Sequence, residues 1–106
     1  MNFRGGMNEL MRQAARMQRK IEQAKNDAKD KEVTATSVGD KVKVTVTYGR
    51  KVYRIEIDPE LVASEGLELA LDGVCAALNT ALEQADKAME AEVEKVTGGA
   101  KIPGLV

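Results

Sequence analysis

The residues of this chain whose types and spacing could do chemistry are cations. Arg12, Arg16, Arg19 and Lys20 stand at i, i+4, i+7 and i+8, a spacing that places all four on one face of a helix. Guanidinium groups present planar forks of N–H donors that match phosphate oxygens, so such a face suits a polyanion gripped by its backbone rather than by base edges. Lys25 and Lys29 extend the basic character along the same segment, partly offset by Glu22, Asp27 and Asp30. Arg50, Lys51 and Arg54 form a second basic group, and Arg4 a further cation near the start; these four are secondary candidates. Two other readings stand beside phosphate binding. The face is simply solvated, or its cations pair with the acids of the last helix, Glu83, Asp86, Glu90, Glu92 and Glu94. Exposed pairs contribute only about 0–1 kcal/mol each and would yield to a polyanion. Lys51 and Arg54 also suit the protection of an edge strand.

Other chemistry is poorly provided for. The 106 residues include no His and one Cys, which removes His-based metal sites, Ser/His and Cys/His nucleophile pairs and any intrachain disulfide. No phosphate-cradling loop is present, so no enzyme activity, cofactor or small-molecule substrate is expected. Cys75, inside GVCAALNTAL, reads as a small buried thiol. No apolar run reaches the length of a membrane span and the start lacks a signal-like apolar core, which points to the cytosol. The formal net charge of −1 conceals an asymmetry: residues 1–31 carry +4, residues 32–57 carry +2 and residues 58–106 carry −7. A split of that kind marks a surface that meets a charged partner.

The elements that must position these residues fit a single domain over residues 1–106. MNFRGG reads as a mobile leader, residues 1–6, with Gly5-Gly6 stopping a helix from extending inward. Apolar residues at Met7, Leu10, Ala14, Met17, Ile21, Ala24 and Ala28 predict a helix over residues 7–31 with a narrow, Met- and Ala-rich seam. EVTATS predicts a strand over 32–37. KVKVTVTYGRKVYRIEIDP predicts a β-hairpin over 41–59, turning at Gly49-Arg50 in a type II′ turn or through a four-residue loop. Its expected pairs are Val46 with Tyr53, Val44 with Ile55, Val42 with Ile57, Thr45 with Arg54 and Lys43 with Glu56. The first strand is expected to pair Ala35 with Val42 and Val33 with Val44. One face then carries Val33, Ala35, Val42, Val44, Val46, Tyr53, Ile55 and Ile57, and the other is polar. Asp58-Pro59 predicts an N-cap and first turn. After a break at Ser64–Gly66, with Ser64 a candidate cap, a long helix follows over residues 67–96. Its expected seam is Leu67, Leu71, Val74, Leu78, Ala81/Leu82, Ala85, Met89, Val93 and Val96, and residues 98–106 form a tail. An eight-residue strand spans about 27 Å, whereas helices of this length span roughly 37 and 45 Å. At least one of them must overhang the sheet. The fold class is therefore α+β, α-β-β-β-α(-α), with a three-stranded antiparallel meander between long terminal helices.

LMRQAARMQRKIEQ, VKVTVTYGRKVYRIEIDPELV, AALNTALEQADKAMEAE and VTGGAKIPGLV, in that order, resemble the YbaB/EbfC family of small bacterial nucleoid-associated proteins. The likeness covers essentially the whole chain; RIEIDPELV, Asn79 within AALNTAL and the closing GG…IPGL are its most specific pieces. The resemblance implies a tweezer-like homodimer with helical arms, located in the cytoplasm at the nucleoid. It implies duplex DNA as partner, a role in chromosome organisation and gene regulation, and no catalysis or cofactor. The DNA-binding role falls on the first helix: Arg12, Arg16, Arg19, Lys20 and Lys25, with Arg4, Arg50, Lys51 and Arg54 secondary. The acidic last helix departs from a picture in which both arms meet phosphates equally. The rival function is a dimeric protein-interaction or chaperone-like module gripping a polypeptide between its arms, for which Met7, Met11 and Met17 would supply an adaptable apolar lining.

Overall fold

A computed structural model describes residues 3–98, with side chains from residue 6 onward. The order is α1 (Phe3–Ala28), β1 (Glu32–Ser37), β2 (Val42–Thr47), β3 (Val52–Ile57), α2 (Pro59–Glu65) and α3 (Leu67–Thr97). The strands form one antiparallel sheet in the order β1-β2-β3, so the expected meander and its flanking helices are present. The molecule is a rod, 77 × 20 × 17 Å.

The local signals explain most of the boundaries. Asp58 caps α2 by accepting the Glu60 N–H at 2.9 Å, with Pro59 in the first turn; a fixed proline φ suits that position, where the missing N–H has no helical partner. Gly66, at φ +91°, separates α2 from α3. It is Gly66, without a side-chain hydrogen bond, that stands at the N-cap of α3; Ser64 remains inside α2. Gly98 ends α3 in the left-handed region at φ +65°, its N–H donating to the Glu94 carbonyl. Only glycine takes that conformation without steric cost. At the other end α1 begins at Phe3 and runs through Gly5-Gly6, where a break before Met7 was expected. Each glycine costs about 1 kcal/mol in a helix, but the turn it extends is already nucleated and each added residue gains a hydrogen bond.

Two registers differ from expectation. Ala35 faces Val44, Val33 faces Val46 and Ser37 faces Val42, a slip of two residues from the expected pairing. The turn accounts for it: Val38, Gly39 and Asp40 all lie at positive φ, Lys41 N–H returns to the Val38 carbonyl, and Thr36 Oγ1 donates to Asp40. Because side chains alternate with period two, a two-residue slip keeps every apolar residue on its face. In the hairpin Val42–Ile57, Lys43–Glu56, Val44–Ile55 and Thr45–Arg54 pair as expected, but Val46 faces Val52 rather than Tyr53. Thr47 N–H donates to the Lys51 carbonyl and Arg50 N–H to the Thr47 carbonyl. These bonds close a three-residue loop with Arg50 in the left-handed position at φ +68°, and the extra residue appears in β3 as a bulge beside Tyr53.

The core lies between α3 and the apolar face of β1 and β2. Val42, Val44 and Val46 are fully buried, against Ala70, Ala77, Ala81 and Ala85 of α3. The face of α3 on the sheet is thus a stripe of small residues, and it brings the helix axis close to the strands. At Gly73 even a methyl would not fit: a Cβ there would stand 2.7 Å from Val38 Cγ2, and Ser37 Oγ donates to the Gly73 carbonyl at 2.6 Å. Leu67 and Leu71, expected in the seam, are instead exposed, as is Leu69, and Cys75 points outward rather than into the core. The large residues lie about 100° round the helix from the alanines, and the sheet selected the small face. On the sheet's edge Val52, Tyr53 and Ile55 are exposed too. The expected polar face is not wholly wet: Thr45 and Thr47 of the central strand are buried, with Thr45 Oγ1 hydrogen-bonded to Thr34 Oγ1 at 2.8 Å.

Candidate nucleic-acid interface

The sheet holds α1 only at its C-terminal end, through backbone hydrogen bonds. Tyr48 N–H donates to the Lys31 carbonyl at 2.8 Å and Gly49 N–H to the Lys29 carbonyl at 2.9 Å. Carbonyls at a helix end lack intrahelical partners, and the hairpin loop supplies them. Gly49 serves this approach rather than a positive φ, since a Cβ on it would meet Lys29 O at 3.1 Å. From there α1 runs along the C-terminal part of α3, with Ile21 and Ala28 buried and Ala24 half-buried. Before Ala15 every described side chain of α1 is exposed. The first half of the helix is therefore the overhang that element lengths demanded.

Arg12, Arg16, Arg19 and Lys20 are all exposed on this helix. Arg12, Arg16 and Arg19 point away from the side on which Ile21 and Ala28 meet α3, by the 3.6-residue repeat. Among the described residues none of the four forms an ion pair with α3. Arg12 and Arg16 pair instead with Glu9 of their own helix, at 3.7 and 3.4 Å. Glu9 sits inside the basic face, and the sequence reading passed over it although its i, i+3 spacing to Arg12 was visible. Lys20 lies at the rim of an open groove of about 360 Å³ between α1 and α3, with Asp27, Lys31, Glu92 and Lys95 among its walls. Lys25 is exposed but about 140° round the helix from Arg12, so it does not join the four.

The groove contains an ion-pair cluster that joins the segment after α1 to α3. Lys31 Nζ reaches Glu92 at 2.7 Å and Lys95 Nζ reaches the other oxygen at 3.3 Å. The Lys31 hydrogen bond, then that of Lys95, holds the Glu92 carboxyl below its ordinary pKa, and the Glu92 carboxylate raises that of Lys31.

The secondary cations are dispersed. Arg50 is bound at the hairpin tip, its Nη1 at 2.6 Å from both oxygens of Asp86 on α3, so it latches the loop to the helix. A separation of 36 residues gives no local spacing signal for that pair. Arg54 lies over the Tyr53 ring, 5.8 Å from its centroid. Lys51 is exposed. Arg4 belongs to the first turn of α1, and its side chain lies outside the described ones. The structure thus gathers Arg12, Arg16, Arg19 and Lys20 on one side of α1, with Arg12 alone on the overhanging half, and separates the rest. Two of the acids that were expected to repel a polyanion, Asp86 and Glu92, are occupied by lysine and arginine partners. No helix of the described residues is long and apolar enough to cross a membrane.

Residues 3–100 match the model of the YbaB/EbfC DNA-binding family. A nucleoid-associated protein of Clostridium kluyveri is 39% identical over 106 residues, covering 98% of this chain and 93% of its own. One of Acetivibrio thermocellus is 40% identical over 104 residues, covering 97% and 92%. The crystal structure of an uncharacterized protein from Helicobacter pylori superposes with a TM-score of 0.70, covering 92% of this chain and 99% of that one at 20% identity. This last likeness concerns the fold.

Proposed function

The chain belongs to the YbaB/EbfC DNA-binding family, and on that footing we propose that it binds duplex DNA through phosphate contacts made by α1. The observation that supports this most directly is the outward face of α1. Arg12, Arg16 and Arg19 are exposed on the side of α1 away from α3, where a duplex can approach without meeting the acids of the last helix. The set contains no second helix to enter a groove, so the contacts position the protein on the backbone and read little sequence. The setting is the cytoplasm and its nucleoid, where the relatives' name as nucleoid-associated proteins fits, with chromosome organisation and gene regulation as the consequences. No catalysis, cofactor, membrane or small-molecule substrate enters this function.

The acting species in this reading is a homodimer. β3 is an edge strand whose outer backbone groups have no neighbour in the sheet, and Val52, Tyr53 and Ile55 on it are exposed. Such an edge is a template for pairing with another chain. A second copy placed there would carry its own α1, giving two basic arms.

Salt titration tests the proposal. With about four phosphates neutralised per arm, log K falls against log salt with a slope near −7. Changing Arg12, Arg16 and Arg19 together to Ala is expected to flatten that slope to about −2 while leaving the far-ultraviolet circular dichroism unchanged. An unaltered slope in a folded triple variant would place the site elsewhere. Affinity for a polypeptide that is indifferent to salt would favour the rival function, in which exposed Met7 and Met11 line a gripping surface.

A further inference from the structure

The apolar seam of α1 continues beyond the reach of α3. Met17 is half-buried, but Leu10, Met7 and the adjacent Met11 are exposed to 64, 62 and 67%. This half of the helix also contains Gly5 and Gly6. A helical stretch of that length is marginal in water without a packed face. The seam therefore needs a cover that the described residues do not provide.

We propose that residues 99–106, GAKIPGLV, fold back along α1 and seat Ile102 and Leu105 on the Met7, Leu10 and Ala14 stripe. Three observations converge on this occupant. The first is position: the last turn of α3, with Lys95 and Val96, lies against Lys20 and Ala24, and Gly98 turns the chain out of the helix there. The segment thus departs at the point where the covered part of α1 ends. The second is length. Lys20 to Met7 is about 20 Å along a helix, and eight residues in extended form reach about 26 Å. The third is composition, for Ile102, Pro103, Leu105 and Val106 are set against the single charge of Lys101. Proline restricts itself and the residue before it to extended backbone, so the segment suits lying along a helix rather than prolonging one. The seam and the basic face are on opposite sides of α1, and the docked segment leaves Arg12, Arg16 and Arg19 open.

Amide hydrogen exchange on the full chain, in dilute solution without DNA, tests this independently of any DNA-binding role. In a variant with Ile102→Asp and Leu105→Asp the amides of residues 8–16 are expected to exchange at least tenfold faster. Those of β2 should be unchanged. Equal rates in parent and variant would overturn the proposal. So would protection that rises with protein concentration in both, which would identify a second copy as the cover. Should the variant not fold, the parent decides: a nuclear Overhauser contact between Leu105 and Leu10 methyls supports the docking, and its absence sinks it.

Discussion

In the proposed phosphate-binding face, Glu9 sets how much of the positive charge is left free. Its carboxylate holds Arg12 and Arg16, and all three side chains are more than half exposed. Exposed pairs of this kind contribute about 0–1 kcal/mol, so Glu9→Gln is expected to tighten duplex binding by up to about fivefold at low salt, read by fluorescence anisotropy. The effect should fade as salt rises, because screening weakens both the pair and the phosphate contact. Glu92 poses a different residue-scale question. Its carboxyl pKa is lowered from 4.5 in the folded state, first by the Lys31 hydrogen bond. A depressed carboxylate contributes stability above its unfolded pKa and loses it as pH falls through the folded one. Glu92→Gln should therefore be less stable than the parent at neutral pH. The difference should shrink as pH drops below the ordinary carboxylate range, followed by urea unfolding at several pH values. Residue-level roles were unevenly legible. The i, i+4, i+7 pattern of Arg12, Arg16 and Arg19 was visible in the sequence, and so was Glu9 for a reader counting acids within the face. The capture of Arg50 by Asp86 was not, since only the docking of the hairpin on α3 brings them together.

At the scale of elements, most ends and most faces were readable. The apolar side of β1 and β2 and the α3 seam from Val74 to Val96 are buried or half-buried as expected. Leu67 and Leu71 fall outside the seam, and α1 starts before its expected break. Strand β1 begins and ends where EVTATS does, α2 starts at the Asp58-Pro59 signal, and α3 stops at its glycine. Those boundaries follow from local chemistry that any neighbour must respect. Which side of α3 meets the sheet depends on the partner surface. The three central valines of β2 leave room for Ala77 and Ala81, and periodicity cannot tell an alanine stripe from a leucine stripe one residue away. Two substitutions make the point measurable. Ala77→Leu, in a fully buried position, should destabilise by about 1–3 kcal/mol through overpacking. Leu71→Ala, half exposed, should cost about 0.5 kcal/mol or less in the isolated protomer; chemical denaturation at low concentration compares them. The missed bulge has a similar origin. Alternation from the Val44–Ile55 pair assigns Tyr53 to Val46; the three-residue loop, with Arg50 in the left-handed conformation, brings Val52 there instead and leaves Tyr53 as the extra residue.

The whole molecule is a rod with one end supported. The sheet and α3 form its body, and α1 extends it to 77 Å. In the proposed dimer this geometry sets the arms apart, and the β3 edge is where the two copies join. Ile55→Asp, on that edge and 47% exposed, should convert the dimer to a folded monomer in sedimentation velocity. Apparent DNA affinity should fall at least tenfold once two arms no longer act together. A dimer of unchanged mass would move the interface to another surface.

The hydrogen bonds from Tyr48 and Gly49 to the end of α1 also order events in time. The first helix emerges first from the ribosome, yet the loop that accepts its last turn lies some twenty residues later in the chain. Its partner on α3, Val96, follows Ala28 by 68 residues. At synthesis rates of about 5–20 residues per second, the nascent arm waits roughly 3–14 s for its support. Through that interval its positive charge faces the polyanions of the ribosome itself. Correct assembly thus depends on a hairpin that forms in microseconds once made, and on an arm whose sequence is complete well before its support.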